Sequence, residues 1–127
     1  MATYSAAWTV GQTLHGSSSI TNGSSATDAI NLATLGFYEV HAQIDLDIAA
    51  GSPAGNVTIE VFAAADGGSN VDTIPLTSRV VAFTGTGNKK VSIPGIRAPH
   101  VSVKVSNATG VAVTYVGRYA GLKQSSA

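Results

Sequence analysis

The run from Glu39 to Ile48 alternates without a break. Val40, Ala42, Ile44, Leu46 and Ile48 fall on one side, and Glu39, His41, Gln43, Asp45 and Asp47 on the other. Successive side chains of a strand point to opposite faces, so this run predicts a strand with one face buried. Gly51-Ser52-Pro53-Ala54-Gly55 then reads as a turn, and Val57, Ile59, Val61 and Ala63 alternate against Thr58, Glu60 and Phe62. The two runs together predict a hairpin.

The pattern recurs. Asp66-Gly67-Gly68-Ser69-Asn70 is a second turn, and Ser78 to Thr84 and Lys89 to Ile93 are short strands flanking Gly85-Thr86-Gly87-Asn88, read as a hairpin turn. Val101, Val103 and Val105, then Val111, Val113 and Tyr115, make a further predicted hairpin around Asn107-Ala108-Thr109-Gly110. With a weaker strand at Ala29 to Leu35, the chain carries about seven strands, or about eight with the segment around Trp8. Apolar residues do not recur at helical spacing, and β-branched valine, isoleucine and threonine are abundant. The fold class expected is all-β: a two-sheet antiparallel sandwich, jelly-roll-like, with an extended N-terminal arm.

That arm is expected from composition. Residues 1–27 are mostly small and polar, with one apolar knot at Ala6-Ala7-Trp8-Thr9-Val10. Their Gly/Ser/Asn stretch buries too little to offset its ordering entropy. Residues 28–119 form the β-sandwich domain and 120–127 a short, frayed tail. On this division, a chain lacking residues 1–27 is expected to keep its β domain folded but to assemble less well.

With 127 residues the chain has room for one domain, and it carries no cysteine, which removes disulfides, thiolate metal sites and a cysteine nucleophile. The formal charge is zero, from seven basic and seven acidic residues. A nucleic-acid partner is therefore not expected, since phosphate neutralisation needs a basic surplus. No run is long enough to span a membrane, and Met1-Ala2-Thr3-Tyr4 opens no leader-like pattern, so synthesis in a cytoplasm is expected. A neutral, hydroxyl-rich surface loses little desolvation energy against a partner and lacks self-repulsion, which suits a protein held in an assembly.

No catalytic or cofactor-binding residue is singled out, and no cofactor or metal is called for. Asp45 and Asp47 are spaced for a solvated strand face before a carboxylate pair or calcium site. His15, His41 and His100 show no metal-ligand spacing, and His41 and His100 read as outward on strands, able to approach each other. No serine sits in a Gly-x-Ser-x-Gly turn. The triplets at Asn22, Asn56 and Asn107 match a glycosylation pattern without a leader to support it. Basic residues Lys89, Lys90, Arg97, Lys104 and Arg118 lie late in the chain. Asp28, Glu39, Asp45, Asp47 and Glu60 lie early, leaving open either two charged sides or pairing across sheets. Exposed aromatics and arginines are the candidate interaction residues: Tyr4, Trp8, Phe62, Arg97 and Arg118.

The stretch Val101-Ser102-Val103-Lys104-Val105-Ser106-Asn107-Ala108-Thr109-Gly110-Val111-Ala112-Val113-Thr114-Tyr115, closing on Gly117-Arg118-Tyr119, resembles segments of small virion proteins of tailed bacteriophages. The nearest analogy in size and character is to jelly-roll capsid decoration (cement) proteins. The resemblance covers residues 28 to 119 and carries over no functional residue. It implies a non-enzymatic homo-oligomer, a dimer or trimer, bound to the major capsid protein on the outside of a virion. Modest contacts would add by avidity. Other functions with the same composition are a tail, neck or fibre component. A carbohydrate-binding module is a further one, with Trp8, Tyr38 or Tyr119 as the stacking platform and Asp45 or Asp47 gripping sugar hydroxyls.

Overall fold

A computed structural model describes residues 4–65 and 71–126. The eight strands are β1 (Tyr4–Ile20), β2 (Ser25–Ile30), β3 (Glu39–Ile48), β4 (Gly55–Ala64), β5 (Thr77–Phe83), β6 (Gly87–Ile96), β7 (His100–Ala108) and β8 (Val113–Ser126). A single helical turn, α1 (Leu32–Leu35), follows β2. One sheet has the order β1-β8-β3-β6 and the other β2-β7-β4-β5, every pairing antiparallel. This is the jelly-roll arrangement: in most cases consecutive strands lie in opposite sheets.

The alternating run on β3 lands as read. That on β4 holds from Val57 to Val61 and then slips, Ala64 being buried in place of Ala63, and Val111 lies before β8. On β3 the residues Val40, Ala42, Ile44 and Leu46 are fully buried, and they meet Val57, Ile59 and Val61 of β4 and Val101, Val103 and Val105 of β7 across the core. Each of these valines, isoleucines and leucines contributes about 1.5–3 kcal/mol relative to exposure. Phe83, Ile93 and Tyr115 complete the layer between the sheets.

The hairpins do not form. β3 and β4 lie in different sheets, as do β5 and β6, and β7 and β8. The turns between them are corners where the chain crosses from sheet to sheet. Alternation places a residue on a face but is blind to which strand lies alongside. The pair joined in sequence and also in space is β4–β5, connected through residues 65–76. The turn read at Asp66–Asn70 lies outside the described residues.

Residues 1–27, expected as an arm or long loop, instead supply β1 and half of β2. β1 pairs with β8 from Tyr4↔Ser126 to Ile20↔Val113, so the tail 120–127 is likewise strand as far as Ser126. Side-chain burial is indeed sparse on β1, with Leu14 and Ile20 in the core. The ladder itself holds it, because backbone N–H and C=O groups pair regardless of side chain. The strand read at Ala29–Leu35 ends at Ile30. Asn31 Oδ1 accepts from Thr34 N at 3.1 Å, and Gly36 closes the turn at φ 77°, a left-handed conformation that suits glycine.

The crossovers β1→β2, β3→β4 and β7→β8 meet at one end around Asn107, which is 2% exposed. Its Nδ2 donates to the carbonyls of Ile20 (2.8 Å) and Val111 (2.7 Å), and its Oδ1 accepts from Thr109 N (3.0 Å) and Thr109 Oγ1 (2.7 Å). Its backbone bonds Gly23 and Ser24, while Ala54 N donates to Thr109 O. With both amide hydrogens engaged in the interior, Asn107 is no glycan acceptor in the folded chain.

Two outcomes follow. Asn107→Ala leaves buried carbonyls without donors and lowers stability by about 3 kcal/mol or more, read as a large drop in thermal melting temperature. Removal of residues 1–27 strips an edge from both sheets, so the truncated chain should lose its cooperative melting transition. A melting temperature within about 10 °C of the full chain would show that the segment is dispensable.

Candidate functional site

The outer face of the β1-β8-β3-β6 sheet carries the residues best placed for recognition. Val113, Tyr115, Gly117 and Gly121 of β8 are buried, so the alternate residues Thr114, Val116, Arg118, Ala120 and Leu122 face out. The register sets Trp8 beside Leu122 and Leu122 beside Glu39, Ala120 beside His41, and Arg118 between Thr13 and Gln43. Trp8 is 46% exposed.

Between these rows lies an open groove of about 230 Å³ lined by Gly11, His41, Gln43, Arg118, Tyr119 and Ala120. Its floor is low because Gly11 has no side chain and Ala120 only a methyl. Its surface is mostly apolar, with an arginine, an amide and an imidazole among the lining side chains. Arg118 makes no ion pair among the described residues. Its planar, five-donor head is therefore available for a carboxylate or vicinal hydroxyls.

The other candidates are dispersed. Arg97 lies just past β6, and its Nε donates to Glu39 Oε1 at 2.7 Å, which joins it to the same outer face. Phe62 lies on β4 beside Ser102 in the other sheet, half-buried. Tyr4 lies in β1 opposite Ser126, and its side chain is outside what the structure describes. The structure thus brings Trp8, Arg97 and Arg118 to one face and leaves Phe62 on the opposite one. Tyr119 packs edge-on against Phe37 at 6.3 Å, which makes it a poor stacking platform.

Acidic and basic residues do not segregate into two sides. Asp45 sits beside Lys90, Glu60 beside Lys104, and Glu39 bonds Arg97. Asp45 also accepts from Asn88 Nδ2, which ties it to the neighbouring strand. His100 is buried at 8% exposure in the sheet opposite His41, so these two histidines do not approach each other as the sequence suggested. The strand pattern misleads there because His100 is the first residue of β7, at the sheet's end.

A second constellation was not legible. His15 Nδ1 lies 2.8 Å from Asp28 Oδ2 on β2, and His15 Nε2 lies 2.5 Å from Ser18 Oγ. The His15 ring stacks on Tyr115, centroids 4.3 Å apart and planes 8° from parallel. Burial, with the Asp28 carboxylate adding to it, pushes the Tyr115 phenol above its usual range. Gly117 makes room for the Tyr115 hydroxyl, which would lie 2.8 Å from a Cβ there. Sequence spacing hides this cluster, because residues three apart on a regular strand face opposite ways. β1 is irregular at this point, with register shifts between Thr13 and His15 and between His15 and Ser18.

No protein-family model matches the sequence, and no curated protein does. Solved structures do match in shape. An endospore appendage of Bacillus, from a family described as disulfide-linked pili, shares 16% identity at a TM-score of 0.50, covering 94% of this chain and 88% of that one. A human norovirus GI.7 Houston strain virus-like particle chain shares 10% identity at a TM-score of 0.50. That match covers 89% of this chain and 30% of the viral one. The present sequence has no cysteine, so the covalent linkage named for the pili has no counterpart in it. At these identities the likeness is one of fold, and the fold is a jelly-roll β-sandwich.

Proposed function

We propose that this chain is a structural protein of a virus particle, a decoration or cement protein that binds the major capsid protein on the outer surface of the shell. The observation that carries the reading is where the five most exposed large apolar side chains of the described residues sit. Trp8 and Val10 lie on β1, 46% and 71% exposed, at one edge of the sandwich; Ile74, Leu76 and Val80, at 78%, 54% and 63%, lie on and before β5 at another. The molecule therefore presents two separate adhesive regions on a neutral, sparsely charged body. That is what a protein bridging neighbouring subunits needs.

Function on this reading is binding without turnover. Contacts of modest strength at two regions, repeated by a dimer or trimer at a symmetry axis, add by avidity. The arginine-lined groove beside Trp8 contributes orientation through carboxylates or hydroxyls of the shell. The protein is then made in the host cytoplasm and resides in the virion, with no nucleic acid or membrane among its partners.

A second reading, carbohydrate binding, is favoured by one observation: the shallow groove with Arg118, His41 and Gln43 close to an exposed tryptophan. A tail, neck or fibre role shares the composition and differs in copy number.

Quantitative mass spectrometry of purified particles tests the proposal. Copies comparable in number to the major capsid protein support it, and a handful per particle moves the chain to the tail or neck. Its absence from particles, with millimolar or tighter glycan binding in calorimetry, replaces it with the sugar reading. Within the proposal, Trp8→Ser should weaken capsid binding by about 2 kcal/mol, roughly 30-fold, as loss of a buried aromatic anchor does, with little change in melting temperature.

A further inference from the structure

The cluster of His15, Ser18 and Asp28 lies at the rim of the core and outside the groove, and its order of contacts is that of an activated nucleophile. A carboxylate only accepts hydrogen bonds, so Nδ1 of His15 carries the hydrogen shared with Asp28 at 2.8 Å. In the neutral ring Nε2 is then the acceptor, and it is the atom that faces Ser18 Oγ at 2.5 Å. The ring cannot swing away easily, since it is stacked on Tyr115, whose side chain is fully buried. Nucleophile, base and orienting carboxylate within hydrogen-bond reach is the signature of nucleophilic activation.

A clasp between β1 and β2 would need only His15 and Asp28. The serine is an addition, and it reaches the ring because the two register shifts in β1 turn residues 15 and 18 to the same side. Ser18 is exposed while His15 and Asp28 are 18% and 21% exposed, so the reactive atom faces solvent and its partners are half-sheltered.

We propose that Ser18 is a nucleophilic modification site that accepts an acyl group from activated esters or thioesters. His15 is the base and Asp28 the positioning residue. Ser18 Oγ attacks the acyl carbon and its proton passes to His15 Nε2. The bond from carbon to the leaving oxygen or sulfur breaks, and that atom takes the proton from His15. The products are O-acyl Ser18 and the free alcohol or thiol, with no oxidant or reductant required. The grooves of about 230 and 240 Å³ on the described surface include none of these three residues, so a small reactive donor suits the site better than a bound substrate.

The test exposes the folded full chain to p-nitrophenyl acetate and maps acetylation by peptide mass spectrometry. Ser18 should acetylate about 100-fold faster than the adjacent exposed Ser17 and Ser19, the scale of assistance from a positioned base. His15→Gln should bring Ser18 down to the rate of those neighbours. Asp28→Asn, nearly isosteric, should slow it about tenfold, whereas Asp28→Glu, which keeps the carboxylate, should recover much of the rate. A purely packing role for Asp28 predicts the reverse order. Equal rates at Ser17, Ser18 and Ser19 in the unaltered chain overturn the proposal. So does undiminished Ser18 labelling in His15→Gln shown by circular dichroism to be folded. The first comparison uses no variant, so a variant that fails to fold leaves the outcome decisive.

Discussion

One carboxamide holds the corners of this sandwich. In a jelly roll the chain must leave one sheet and enter the other repeatedly, and at each departure backbone groups lose their ladder partners. Asn107 takes up that loss at the end where three crossovers meet, donating to Ile20 and Val111 and accepting twice from Thr109. The cost of burying a polar side chain is offset because every one of its hydrogen-bonding positions there is occupied. The same residue also joins the β1→β2 corner through its backbone, so one outer strand of each sheet, β1 and β2, is anchored by it.

From that junction the recognition surface follows. β8 runs the length of its sheet between β1 and β3, and its pleat sends Arg118, Ala120 and Leu122 outward next to His41, Gln43 and Trp8. The small residues Gly11 and Ala120 hollow the face, and the arginine rims it. Irregularity in β1 serves the site as well. The shifts that interrupt its ladder are what bring His15 and Ser18 together, while β2 supplies Asp28 from the other sheet. The outer strands, poorest in buried side chains, carry much of the candidate chemistry.

Several of these residues were within reach of the sequence and several were not. The outward rank of His41, Gln43, Asp45 and Asp47 could be read from alternation, because the pleat is a local property of the chain. Trp8, Arg97 and Arg118 were singled out as exposed polar or aromatic groups, and the structure sets them on one face. Their companionship with Gly11 and Ala120 depends on which strands are neighbours, and so was not legible. The segment 1–27 was misjudged because composition counts side-chain burial, whereas β1 is held largely by backbone hydrogen bonds to β8.

The sequence by itself determined that the chain is all-β, where β3, β4 and β7 lie, and which of their faces is buried, since a period of two is set within a single strand. Tertiary structure alone decided the partners. Asn107-Ala108-Thr109-Gly110 reads as a hairpin turn, yet the strands on either side of it belong to opposite sheets. A corner and a hairpin can share the same few turn residues, because the difference between them lies in whether the second strand's apolar face is satisfied beside the first or across the core from it. That choice is made by the whole set of faces that must be buried together, and no local window contains it.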